Sequence, residues 1–254
     1  MTDPVLRLEA LCKNFGGLQV TDNVTLDILP GEMHALIGPN GAGKTTLIHQ
    51  ISGVLKPSSG RILFSGRDVT HAGPDTRAMH GLARSFQITS VLPAFTALEN
   101  TAIAVQARRG SSFRFFGRAG TEAALNEPAL AALAEVGLES RAHVPAARLS
   151  HGEKRALELA IALAMEPKML LLDEPMAGTG PEETERLVQV LDRLKGRFPM
   201  LLVEHDMEAV FALADRISVL IYGRILMTGT SAEVRDHPEV IAAYLGDELE
   251  DIHA

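Results

Sequence analysis

Apolar residues alternate with polar ones from Val5 to Leu11 and again from Val20 to Leu29, with Gly16-Gly17 between the two stretches. Successive side chains of a strand face opposite ways, so this pattern predicts two half-buried antiparallel strands joined by a glycine turn. The rhythm then changes. Met33 to Ile37 is a short unbroken apolar run that opens into a glycine-rich loop, and Lys44 to Gly53 follows with helical character and a glycine stop. Met169 to Leu172 and Met200 to Val203 are again continuous apolar runs, the pattern of strands buried on both faces of a parallel sheet. Between them Glu182 to Lys195 reads as a helix with Pro181 at its first position. Strand, helix, strand in this order is the logic of an α/β sheet. Ile217 to Ile221 and Ile225 to Met227 flank Gly223-Arg224 as a hairpin, and a last helical stretch covers Pro238 to Tyr244.

The middle of the chain lacks strand signals. Residues 97 to 107 and 121 to 137 are alanine-rich and favour helix, which predicts a helical subdomain, at about residues 88 to 160, set into the α/β body. Between these stretches Arg108 to Gly120 carries Phe113, Phe115 and Phe116 among Arg108, Arg109, Arg114 and Arg118. Two readings are open for it. The aromatics can pack a surface loop onto the helices, or the segment can meet lipid headgroups or a membrane partner, since no acidic residue lies between Glu99 and Glu122.

Composition narrows the field of functions. A formal charge of −8 gives no general attraction to nucleic acid, which is excluded as an expected partner. The single cysteine, Cys12, cannot form an internal disulfide. The opening Met-Thr-Asp-Pro has neither the basic nor the apolar region of a signal peptide, and the longest helical apolar stretch, Leu159 to Met165, is far short of the ~18 to 20 residues of a membrane span. The expected address is therefore cytoplasmic.

Gly38-Pro39-Asn40-Gly41-Ala42-Gly43-Lys44-Thr45 fits G-x-x-x-x-G-K-[ST] between a strand and a helix. Glycines at these points let backbone N–H groups approach phosphate oxygens. Lys44 then adds a cation, the Thr45 hydroxyl can bind Mg²⁺, and Thr46 is a further phosphate contact. Asp173-Glu174 closes the apolar run from Met169, which puts two carboxylates where a parallel sheet presents ligand-contacting residues. Asp173 is the candidate Mg²⁺ ligand, through water, and Glu174 the base that orients and deprotonates an attacking water. Ser150-His151-Gly152-Glu153 precedes a helix over Lys154 to Met165. Its Ser-x-x-Glu is a capping box, so the serine can simply start the helix, yet the same geometry presents N–H groups to an anion, and the two uses are compatible.

In order and spacing the Lys44 loop, Leu149 to Glu153, Asp173-Glu174 and His205 resemble the ATP-binding subunits of ABC transporters, over nearly the whole chain. The resemblance implies one ABC ATPase domain over residues 1 to 254: an α/β P-loop NTPase (RecA-like) core with an antiparallel β-subdomain and the inserted helical subdomain. It implies ATP and Mg²⁺ as ligands, Phe15 stacking on adenine, Gln87 near Mg²⁺ and the membrane subunit, and His205 contacting the γ-phosphate. Ser150, Gly152 and Glu153 would serve ATP held by a second ATPase subunit, identical or not, so pairing is required for turnover. Two membrane subunits, and indirectly a solute-binding protein, complete the implied partners, and the implied location is peripheral, at the cytoplasmic face of the cell membrane. His151 replaces the commoner glycine of the family signature, and Ala177-Gly178-Thr179-Gly180 replaces a segment usually ending in aspartate. Arg84-Ser85-Phe86-Gln87, Val203-Glu204-His205-Asp206-Met207 and Ala243-Tyr244-Leu245-Gly246 look most like importers of branched-chain amino acids and related solutes. Urea or lipopolysaccharide transporter ATPases are closer rivals than DNA-acting ABC ATPases, whose coiled coils, zinc modules and basic surfaces do not appear. A P-loop GTPase would need an Asn-Lys-x-Asp guanine reader, and there is none.

Overall fold

The computed structural model describes residues 3–84, 91–109 and 123–243. Gln87, Ser85, Phe86, most of the Arg108 to Gly120 segment and Tyr244 to Gly246 lie outside the described residues.

Two sheets and a set of helices share three apolar cores. β1 (Leu6–Phe15) and β2 (Leu18–Ile28) pair antiparallel, from Leu6 opposite Ile28 to Phe15 opposite Leu18. The alternation read from the sequence therefore holds, and both strands run longer than predicted. Ala10 and Asn23 adopt positive φ of 47° and 54°, where register shifts bend the ribbon. β4 (Ser59–Phe64) joins β1 from the other side and β5 (Arg67–Asp68) closes the four-stranded sheet in the order β2-β1-β4-β5.

The second sheet has the order β10-β9-β3-β8-β7-β6. β3 (Met33–Ile37), β6 (Leu82–Arg84), β7 (Met169–Asp173), β8 (Met200–Val203) and β9 (Arg216–Ile221) run parallel, and β10 (Arg224–Gly229) returns antiparallel against β9. The turn between β9 and β10 is Tyr222-Gly223, with φ of 47° and 78°, one residue earlier than the Gly223-Arg224 expected. Both central residues of such a primed turn need positive φ, which Arg224, already in the strand, does not supply.

Alternation explains why β7 and β8 read as unbroken apolar runs. Met169, Leu171, Leu201 and Val203 face the core shared with the first sheet and with α1 (Lys44–Ser52). Leu170, Leu172, Met200 and Leu202 face the other way, into a core built with α3 (Ala97–Arg108), α4 (Ala123–Glu135), α5 (His151–Ala164) and α6 (Pro181–Leu194). α1 is thus held between the two sheets. A third, smaller core joins Ala35, Ile37, Ile217 and Val219 to Val210 of α7 (Met207–Leu213) and Val234 of α8 (Ser231–Arg235). The helix read over Lys154 to Met165 starts three residues earlier, at His151, and residues 238–243 are helical as expected.

Arg108 is ion-paired to Glu166, so that arginine is offset by an acid distant in sequence rather than left unbalanced. No helix among the described residues is long and apolar enough to cross a membrane.

Candidate nucleotide site

β3 delivers the glycine-rich loop at its C-terminal end, and α1 begins at Lys44 directly after it. Gly43 caps this helix with φ of 104°, no side-chain hydrogen bond caps it, and no acidic residue stands in its first turn. The positive end of the α1 dipole therefore faces the loop with no acidic side chain of its own first turn to offset it, a geometry that suits an outside anion. Two glycines are dictated by close approach. A Cβ at Gly38 would lie 2.1 Å from the Leu220 carbonyl oxygen, and one at Gly43 2.7 Å from that of Val20. The second contact also packs the β1–β2 ribbon, which carries Phe15, against the loop. Ala42 is buried, while Asn40, Gly41 and Thr45 are exposed and Thr46 is half-buried. Lys44 Nζ donates to the carbonyls of Gly38 and Pro39 at 2.5 and 3.0 Å, which arches the side chain over the loop.

Asp173 ends β7, almost completely buried, and its Oδ2 lies 2.8 Å from Nη2 of Arg84 at the end of the neighbouring strand β6. Arg84 also donates through Nη1 to Ser52 Oγ at 3.3 Å. His49 of α1 is held below its ordinary pKa by burial and by the nearby Arg84 charge, with Asp173 opposing. Glu174 follows with φ of 48°, a left-handed conformation that is costly for a residue with a side chain and recurs at functional positions. Its N–H donates to the Val203 carbonyl at 2.8 Å, which fixes the turn to β8.

His205, expected to sense the γ-phosphate, follows β8 and is 70% exposed. Its backbone N–H donates to Oε2 of Glu204 at 3.1 Å, and Oε1 of the same carboxylate accepts from the Met176 N–H at 2.7 Å. Glu204 thereby ties the loop of Glu174 to the loop of His205. Burial pushes its carboxyl above the usual range, against the opposing N–H groups of Met176 and His205. Phe15 ends β1 half-exposed, with Lys13 Nζ 5.1 Å from its ring centroid, so the aromatic available for a base is positioned and not lost to the core.

Ser150, Gly152 and Glu153 stand at the N-terminus of α5, and the capping box read from the sequence is complete in both directions. Their side-chain partners are Glu183 of α6 and Arg141. No hydrogen bond or ion pair joins them to residues 38–46 among the described residues. The two departures from the family pattern meet each other. His151 Nε2 lies 3.3 Å from the Ala177 carbonyl and 2.9 Å from where a Gly178 Cβ would stand.

For a divalent cation, the Thr45 hydroxyl and the Asp173 carboxylate supply hard oxygen donors on adjoining elements, which suits Mg²⁺ better than softer metals. Among the described residues no group of three or more His, Cys, Asp or Glu could hold a metal. Gln87, the other expected ligand, is outside the described residues. Arg84 and Glu204 were not singled out as site residues. The pairing of Arg84 with Asp173 depends on β6 lying beside β7, which no local pattern announces.

Residues 21–177 match the family model described as ABC transporter, and residues 224–250 match the one described as branched-chain amino acid ATP-binding cassette transporter. The chain belongs to the ABC transporter family, in its branched-chain amino acid branch. It is 37% identical to the high-affinity branched-chain amino acid transport ATP-binding protein LivG of Escherichia coli K12, over 97% of this chain and 100% of that one. It is 35% identical to the corresponding protein BraF of Pseudomonas aeruginosa, again over 97% and 100%. Among solved structures, a nucleotide-free ATP-binding cassette from an ABC transporter superposes with a TM-score of 0.85 at 29% identity, covering 95% of this chain and 99% of that one. The ADP conformation of such a cassette gives the same TM-score and identity over 96% and 100%.

Proposed function

We infer that this chain is the ATP-binding and ATP-hydrolysing subunit of an ABC importer that powers uptake of branched-chain or related amino acids through separate membrane subunits. The observation that carries the enzymatic part is the convergence of a helix N-terminus without a side-chain cap, behind a glycine-rich loop, with two carboxylates, Asp173 at the end of a strand of the same sheet and Glu174 directly after it. The import assignment rests on the relatives, which are named for branched-chain amino acid transport.

In this reading Phe15 stacks on adenine, while the backbone N–H groups of the loop formed by Gly38, Asn40, Gly41, Ala42 and Gly43, and of Lys44, Thr45 and Thr46 after it, hold the phosphates together with the Lys44 ammonium. Thr45, Asp173 and Gln87 would hold Mg²⁺, which when bound would supply positive charge beside the phosphate oxygens. Glu174 orients a water and takes its proton as the water oxygen bonds to the γ-phosphorus, and the bond from that phosphorus to the ADP oxygen breaks with its electron pair leaving on ADP. His205 contacts the γ-phosphate from the adjoining loop. Ser150, Gly152 and Glu153 act on ATP held by a second ATPase subunit, so the chain works as a pair on two membrane subunits, fed by a solute-binding protein, at the cytoplasmic face of the membrane. The subdomain that carries Ser150 into the pair, at about residues 88 to 160, includes α3, α4 and the start of α5.

A largely apolar groove of about 320 Å³ lined by Val54, Ala78, Leu82, Ile161, Met165 and Arg84 supports the membrane-subunit contact. It adjoins the Arg84–Asp173 ion pair, so a segment docked there lies next to the cation site. The test is uptake of labelled leucine into vesicles holding the full complex and its solute-binding protein. ATP-driven uptake is expected, and Lys44→Ala should abolish it together with turnover. ATP-driven uptake that survives Lys44→Ala would overturn the assignment.

A further inference from the structure

The signature at the head of α5 has a resident of its own. Ser150 Oγ donates to Glu183 Oε1 at 2.8 Å, and a Cβ placed on Gly152 would lie 2.5 Å from Glu183 Cδ. The bare backbone of Gly152 is thus what makes room for the carboxylate. The Ser150 hydroxyl first, then the backbone N–H groups of Gly180 and Gly152, hold the Glu183 carboxyl below its usual range against burial. Gly180 caps α6, of which Glu183 is the third residue, so one carboxylate serves the N-termini of two fourteen-residue helices.

We propose that Glu183 fills the anion seat formed by Ser150 and Gly152, and that the γ-phosphate of ATP brought by the facing subunit must displace it for the pair to close. The proposal rests on the reading that Ser150 and Gly152 serve ATP in trans. A carboxylate and a phosphate oxygen make the same demands on a hydroxyl and a helix N-terminus, and two anions cannot share those donors without strong repulsion. Closure therefore exchanges one anion for another. ATP, with its extra phosphoryl charge, can carry out that exchange, whereas ADP has no group that reaches the seat. Glu183 thus raises the ATP concentration at which pairing begins and keeps the lone subunit from capturing other anions.

The seat differs from ordinary helix capping in the sign of its effect. Loss of a cap loosens α5 and weakens pairing, whereas loss of a competing anion strengthens it. The test uses the ATPase pair from the purified complex, carrying Glu174→Gln so that ATP persists, and reads by light scattering the ATP concentration at half-maximal pairing. Glu183→Gln keeps shape and a carbonyl acceptor for Ser150 but removes the charge. It should lower the half-maximal ATP about 2- to 5-fold, the range expected for one charge at a helix N-terminus. Glu182→Gln is the control for charge alone, since Glu182 is 88% exposed and only 3.7 Å from Arg186 in a surface pair. It should change little. An unchanged or raised half-maximal ATP in Glu183→Gln, or an equal drop in Glu182→Gln, would overturn the proposal while leaving the trans reading intact. Failure of the Glu174→Gln parent to pair with ATP at all would overturn both.

Discussion

Arg77 is 1% exposed and makes no ion pair among the described residues, yet it stays charged because four carbonyl oxygens receive it. Nη1 donates to Gln50 and Ile51 at 2.6 and 2.5 Å, Nη2 to Thr70 at 3.1 Å, and Nε to Ala72 at 3.1 Å. Gln50 and Ile51 lie at the C-terminus of α1, the negative end of the helix whose other end forms the phosphate loop. Burial lowers the guanidinium pKa to about 10, which still leaves it charged at neutral pH. Arg77→Met keeps volume and removes the donors. The Gln50 carbonyl retains the Gly53 N–H at 3.2 Å, whereas those of Ile51, Thr70 and Ala72 each lose a charged donor. At about 1 to 3 kcal/mol for each orphaned carbonyl, partly offset by relief of the buried charge, the loss should be about 3 to 5 kcal/mol. For a chain of this size that lowers the melting temperature by about 6 to 20 °C. Urea unfolding at constant m-value measures it, and a loss below about 1 kcal/mol would show that the carbonyls find other partners and that Arg77 does not anchor α1.

Other outcomes follow from the site. Phe15→Ala should weaken ATP binding by about 1 to 3 kcal/mol, the range of base stacking on an aromatic, with only modest preference over GTP in the parent, as read by fluorescent nucleotide titration; unchanged affinity would place the base elsewhere. Glu204 has a folded pKa raised above its unfolded 4.5 by burial, so its contribution to stability is fully present below that unfolded value and is lost as pH rises through the folded one. The stability of the parent relative to Glu204→Gln should therefore fall as pH rises from the unfolded value of 4.5 through the raised folded one, and a gap that stays flat in denaturant titrations would contradict the assignment of the shift to burial.

How much of this was legible depends on the range over which each feature is encoded. The glycine-rich loop, the unbroken apolar runs of β7 and β8 and the Asp173-Glu174 pair are local, and each was readable because one short pattern carries its physical reason. β4, β5, β6, α2 (Pro74–Met79), α7 and α8 are short, with two to seven residues apiece, and too brief for periodicity to register. The Arg84–Asp173 pair spans 89 residues and the Ser150–Glu183 bond 33, so both required the strand order and helix packing to be known first. Arg77 shows the same limit in its sharpest form. A charged residue in a short helix reads as surface, and only the backbone carbonyls folded around it make burial tolerable. The hairpin turn was placed one residue late because Gly223 was visible as a turn former while Tyr222, a residue that rarely takes positive φ, was not.

Glu174→Gln tests the central claim most directly. The substitution preserves size and hydrogen bonding and removes the base, while leaving Lys44, Thr45 and the loop N–H groups in place. Steady-state ATP hydrolysis by the purified complex should fall by about 10² to 10⁴, equivalent to roughly 3 to 5 kcal/mol of barrier, with nucleotide binding retained. Near-normal turnover in that variant would remove Glu174 as the base and contradict the account of the site.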